Sequence, residues 1–284
     1  MWRELIFHNE KIEQGVRRSI ASGLVRINPD TGLVDMSPNA YAMAYDGNWL
    51  FFGNNTALRD CFTWHSIMFN CFDGFVHEFC KLRCYKVVVK TRNFIDAMRF
   101  RNAMLAAPKE QGSLTPPHGK VGIDERDYTD GYFNGFIYCD GLEDARKKYA
   151  LVRKLVDDCV EDGKNIPIII KRSCTEFEKR HGATDSPFWQ SMTKEELDFQ
   201  HLLEDIYAGF KSSSVQPDWL QNKIIAKMAK WANIFSDKTW MEHFDSEDIL
   251  TMKAVTYHEV KEVVKKQRKP SKVKHKHKSK KGEK

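Results

Sequence analysis

Seven cysteines stand among the 284 residues, an odd number spread along the chain. That distribution argues against a disulfide framework and for buried or metal-binding thiols. Cys80, Cys84, Cys139 and Cys174 are the set with most chemical promise. They flank segments that read as strands, and if those strands pair as argued below, the four reach one end of a sheet. Four thiolates placed there would suit tetrahedral zinc or an iron–sulfur cluster. A rival grouping joins Cys61, His65, Cys80 and Cys84, two pairs at i, i+4 spacing. Neither set has the Cys-x-x-Cys spacing of a diagnostic site, and a buried cysteine is commonly a small hydrophobe. Cys174 also invites a nucleophile reading, with Glu176 or His181 as base. There the neighbouring acids oppose thiolate formation, while Lys171, Arg172, Lys179 and Arg180 favour it.

The second chemically suggestive set is basic. Lys86, Lys90, Arg92, Arg99 and Arg101 surround one strand and the helix after it, and Lys171 and Arg172 close a later strand. The net charge is +6, but residues 265–284 hold eleven Lys or Arg, among them Lys274, Lys276 and Lys278, against one acid. That segment carries +10, so the other 264 residues carry −4. With only Val273 apolar, it cannot offset ordering entropy by burial and is expected to be a disordered basic tail. Such a cluster attracts polyanions, nucleic acid first among them; the alternative is a merely solubilising terminus. An anionic membrane surface lacks an apolar anchor here.

The elements that must position these groups follow from hydrophobic period. Residues 23–36 and 41–52 read as two hairpins, around Pro29-Asp-Thr-Gly32 and Asp46-Gly47. A helix is expected near 56–71. Tyr85–Lys90 is a strand rich in β-branched residues, and 94–106 a helix with Phe94, Ala97, Met98 and Leu105 on one side. Lys120–Asp124 and Tyr132–Cys139 are strands. Asp140, with Glu143 as a capping box, opens a helix carrying Leu142, Ala145, Tyr149, Val152 and Val156. Ile166–Lys171 is the last strand, with Pro167 restricted to its start or to an edge.

That succession predicts an α+β chain. Its centre is a ferredoxin-like βαββαβ module with sheet order 4-1-3-2, flanked by N-terminal β-hairpins and C-terminal helices. The expected regions are 1–84, 85–185, 186–264 and the tail 265–284. Beyond Ser186-Pro187, Thr193 with Glu196 makes a second capping box. Residues 217–235 align Leu220, Ile224, Met228, Trp231 and Phe235, and Asp245 opens a last helix.

Alternation places Tyr132, Asn134, Phe136 and Tyr138 on one face of the third strand. Sheets of the RNA-recognition-motif type stack bases on aromatics in this strand, although the preceding Lys/Arg-Gly of that motif is missing. Phosphate-binding loops, His-Glu-x-x-His and Gly-x-Ser-x-Gly are also missing. The acidic run Asp124, Glu125, Asp127 and Asp130 falls in a predicted turn, where a solvated loop competes with a metal site. No apolar run approaches the ~20 residues of a membrane span, and the first ten residues lack a signal-like core. The expectation is a cytoplasmic nucleic-acid-binding protein. The alternatives are a metal- or iron–sulfur-dependent enzyme acting on nucleic acid or nucleotides, and a non-catalytic protein that binds another protein.

Overall fold

A computed structural model describes residues 10–30, 34–37, 47–53, 63–107, 117–126, 129, 131–208 and 216–244. Along the chain come α1 (Glu10–Ala21), the paired strands β1 (Val25–Ile27) and β2 (Val34–Met36), and β3 (Trp49–Phe52). Wide π-helical turns at Thr63–Phe69 and Phe79–Arg83 lead into β4 (Cys84–Thr91). Then follow α2 (Phe94–Leu105), β5 (Gly119–Ile123), β6 (Phe133–Asp140), α3 (Gly141–Cys159) and β7 (Ile168–Arg172). The helices α4 (Thr175–His181), α5 (Lys194–Ile206) and α6 (Asp218–Ile234) follow, and a short helical turn at Lys238–Glu242 comes after them.

Five strands form one antiparallel sheet in the order β3-β5-β6-β4-β7. The fold is therefore mixed α/β around an antiparallel sheet. The sheet is one strand wider than the sequence predicts. Its extra strand is β3, read above as half of a hairpin, which instead pairs with β5. The other half of that hairpin, residues 41–45, lies outside the described residues, as do 56–62 of the predicted helix and everything from Asp245 onward. Gly122 allows the β3–β5 approach, since a Cβ there would stand 1.8 Å from the carbonyl oxygen of Asn48. The outer side of β3 is closed by Gln216, which accepts from the Phe51 N–H at 2.9 Å and donates to the Trp49 carbonyl at 2.8 Å. Pairing an edge with a buried side-chain amide blocks further strand addition.

Pleating gives each strand two faces. Val87, Val89, Ile137, Val121, Ile123 and Leu50 point to the side on which α2 and α3 pack and are essentially inaccessible. Gly135 lies on this side too. A Cβ there would meet Phe100 Cε1 at 2.3 Å. Gly135→Ala is expected to overpack the core and cost about 1–3 kcal/mol, read by urea unfolding. In α2 the buried face is Phe94, Ala97, Met98, Phe100 and Met104, while Leu105 is exposed, so the predicted stripe drifts at its C-terminal end. In α3, likewise, Ala145, Val152 and Val156 are buried but Leu142 is exposed.

Asp140 does not cap α3 with its side chain. Arg83 holds both of its oxygens, at 2.8 and 2.5 Å, and the Asp140 N–H donates to Asp144 instead. The second capping box is formed by Thr193 and Glu196 as the sequence predicts. Pro167 lies just ahead of the edge strand β7, where its carbonyl accepts from the Lys90 N–H at 3.0 Å.

A second apolar core brings the first and later parts of the chain together. Ile12 and Val16 of α1, Val25 and Val34, and Trp64, Ile67 and Met68 pack with Phe177, Trp189, Leu203 and Ile206. The Ser19 and Tyr207 hydroxyls share a buried 2.7 Å hydrogen bond within it.

Candidate anion site on the sheet face opposite the helices

The sheet face away from α2 and α3 has a different chemistry. Register places Lys171, Lys86 and Tyr138 in one cross-strand row, and Ile169, Val88, Phe136, Lys120 and Phe51 in the next. Lys90 and Asn134 face each other one pleat further on. Lys86 and Lys171 are thus direct neighbours on adjacent strands, a pairing of like charges that destabilises a sheet by itself.

A cavity of about 170 Å³ opens over this face. Lys86, Lys90, Lys171, Arg126, Asp124, Asn134 and Ser173 line it, with Val88 and Phe136 in its floor. Lys86 is buried, and its Nζ donates to Cys174 Sγ at 2.9 Å and lies 5.7 Å from the Tyr138 ring. Burial alone would lower its pKa. Cys174, Cys84 and Tyr138 outweigh burial and hold it well above the ordinary lysine value, so it is an ammonium at neutral pH. No carboxylate pairs with it among the described residues. Lys120 is half-buried beside it, with Nζ 4.0 Å from the Trp49 ring and 5.4 Å from that of Phe136. Burial, and then the Lys86 charge, push its pKa down to about 8.

Arg126 anchors one wall. It grips Asp124 through two bonds of 2.6 and 2.5 Å and reaches Glu176 at 2.7 Å. Those bonds, chiefly the one to Asp124, raise its own pKa despite burial. Burial opposes ionisation of Glu176, but its own backbone N–H and Arg126 prevail and take its pKa to about 2. His65 belongs to the same neighbourhood. Burial lowers its pKa, with Lys86, Lys120 and Arg126 acting in the same sense against Glu176. It is therefore neutral at pH 7.

Between β7 and α4 the chain turns at Ser173, whose φ of +55° lies in the left-handed region that disfavours side chains. Its N–H is tied to the Cys84 carbonyl at 2.8 Å. Ser173 is fully buried, and its Oγ has no hydrogen-bond partner. Such strain concentrates at functional sites.

The basic residues singled out in the sequence divide in two. Lys86, Lys90 and Lys171 gather at the cavity, where Lys171 is ion-paired with Glu178. Arg92 is bound by Asp96, Asp162 and the Glu161 carbonyl, Arg99 by Glu161 and Glu242, and Arg101 by Gln221. Arg172 donates to the carbonyls of Thr184, Lys81 and Trp189, clasping the second core rather than facing a ligand. Lys274, Lys276 and Lys278 lie outside the described residues. Sequence reasoning missed Lys120, Arg126 and Ser173. Strand parity could have found Lys120, because it alternates with Val121 on a strand whose other residues are all buried.

The cysteine set is divided by the same parity. Cys84 pairs with Asp140 while Cys139 pairs with Tyr85, so the two thiols leave opposite faces of the sheet. Cys174 follows Cys84 to the cavity face, and Cys80 is buried in the turn before β4. Among the described residues no three His, Cys, Asp or Glu form a group that could hold a metal ion. Cys61 lies outside them, as do Asp127 and Asp130 of the acidic run; Asp124 is held by Arg126, and Glu125 lies 4.0 Å from Lys227. His181 stacks on Phe188 and bonds the Gly74 carbonyl, so it serves no base role toward Cys174. Tyr132 leaves the aromatic row and stacks on Phe235 with ring centroids 3.6 Å apart; Asn134, Phe136 and Tyr138 remain on the cavity face.

A larger cavity, about 390 Å³, lies in the second core's rim between Phe72, Phe75, Phe188 and Phe199. Its charged lining includes Asp73, Glu195 and Glu196, which repel a polyanion. Lys11 and Lys81 already cover the Phe199 and Phe188 rings, at 5.0 and 4.1 Å. No described helix is long and apolar enough to cross a membrane. Compared with protein-family models, curated proteins and solved structures, the chain matches none, and its site is read from its own geometry.

Proposed function

We propose that this chain binds nucleic acid, contacting it with the lysine-bearing sheet face and attracting it through residues 265–284. The supporting observation is the direct cross-strand pairing of Lys86 with Lys171 beside a cavity in which Lys86 has no carboxylate partner. Glu178 already pairs with Lys171, so the uncompensated charge in this row is that of Lys86, which an anion in the cavity would stabilise. We read β4, α2, β5, β6, α3 and β7 as a ferredoxin-like module widened by β3. The neighbour order β5-β6-β4-β7 and the packing of α2 and α3 on one side support that reading.

Fluorescence anisotropy with single- and double-stranded DNA and RNA over a salt series tests it. Affinity is expected to fall with salt. Lys86→Gln with Lys171→Gln is expected to reduce the slope by roughly one to two units. Arg99→Gln, altering a residue paired with Glu161 and Glu242, is expected to leave it unchanged. Salt-independent or undetectable binding to every nucleic acid defeats the proposal.

A further inference from the structure

Resting on that reading, we infer that the sheet-face cavity seats a terminal phosphate monoester, such as the phosphorylated end of a strand, rather than an internal phosphodiester. Size is the first argument. At about 170 Å³ the cavity has room for a phosphoryl group and a few waters, not for a run of stacked bases. Shape is the second. An internal phosphodiester carries two substituents and must lie across a groove. A monoester carries one, and can enter a recess end-on with three free oxygens and nearly two negative charges.

The donors match such a group. Lys86 supplies a buried ammonium. Ser173 supplies a hydroxyl that is fully buried and unpartnered at the cavity wall. Asn134 is 3% exposed and lines the same cavity with its side-chain amide. Asp124, the acid lining the recess, is held by Arg126 through both oxygens, so its charge is compensated. An unsatisfied buried hydroxyl is costly in an empty recess and useful in a filled one. The left-handed turn at Ser173, fixed by the bond from its N–H to Cys84, holds that hydroxyl in place.

The test uses the full chain and short single strands bearing a 5′-phosphate, a 3′-phosphate or hydroxyls at both ends. Inorganic phosphate and a nucleoside 5′-monophosphate serve as competitors. One phosphorylated end is expected to bind about tenfold tighter than the hydroxyl-ended strand. Ser173→Gly tolerates the positive φ, and Asn134→Leu removes the amide. Each is expected to abolish that preference, whereas Arg99→Gln, outside the cavity, is expected to leave it intact. If all ends bind equally and Lys86→Gln with Lys171→Gln still weakens them, nucleic-acid binding stands and this inference falls. If no strand binds with salt dependence, the underlying reading falls. If the monophosphate or inorganic phosphate binds as tightly as the phosphorylated strand, the phosphate seat stands and its source is a small molecule.

Discussion

Arg126→Met is expected to lower the free energy of unfolding at pH 7 by about 3–5 kcal/mol, the cost typical of removing one partner from a buried ion pair. The Asp124 side chain is 1% exposed and that of Glu176 23%, so both carboxylates would lose their cation without gaining full solvation. Lysine is a poor substitute, since it cannot reproduce the two parallel bonds to Asp124. The pH dependence provides a sharper check. Glu176 titrates near 2 in the folded chain against an ordinary 4.5. A depressed carboxylate stabilises the fold in full above its unfolded value and loses that contribution as pH falls toward the folded one. The parent protein should therefore weaken between about pH 4.5 and 2 on account of this group. In Arg126→Met this acid-side loss should shrink or reverse, because protonation would then relieve an uncompensated charge. Urea unfolding at pH 7, 5 and 3 reads both effects. A parent-like midpoint at all three would show that Arg126 is not the keystone of this wall.

Trp189→Ala is expected to cost a similar amount, about 3–5 kcal/mol, through the cavity left in the second core. The indole is fully buried, donates to the Gly182 carbonyl at 3.0 Å and meets Phe188 edge-on at 5.1 Å. Its own carbonyl accepts from Arg172 at 2.6 Å, so the segment also holds the end of β7. Trp219→Ala is the matched control. That indole is 68% exposed, and its loss should change stability by no more than about 0.5 kcal/mol. Denaturant midpoints decide between them; equal effects would mean the second core does not carry the stability its burial implies.

Local pattern made much of the sheet and helices legible. The Tyr85–Lys90 run, the alternation through Asn134, Phe136 and Tyr138, and the Thr193–Glu196 box each state a period or cap that neighbouring residues alone decide. Partnership across the chain is not stated in that way. Nothing near Trp49 announces that it joins β5, and nothing near Arg92 announces Glu161 and Asp162. A count of basic residues therefore overstated the candidate surface: Arg92, Arg99, Arg101 and Arg172 are held by partners far away in sequence or by backbone carbonyls. The cysteine grouping failed for a more local reason. The strand ends converge, but the pleat sends Cys84 and Cys139 to opposite sides of the sheet.

The hydrogen bond between Ser19 and Tyr207 spans 188 positions. Helix α1 and the β1–β2 pair leave the ribosome long before α5, against which their apolar sides close. At ordinary elongation rates that interval is roughly 10–40 s. Throughout it Ile12, Val16, Val25 and Val34 have no completed core to enter. Biogenesis of this chain thus has a built-in wait, during which its amino-terminal quarter is exposed to chaperones, to proteases and to other copies of itself.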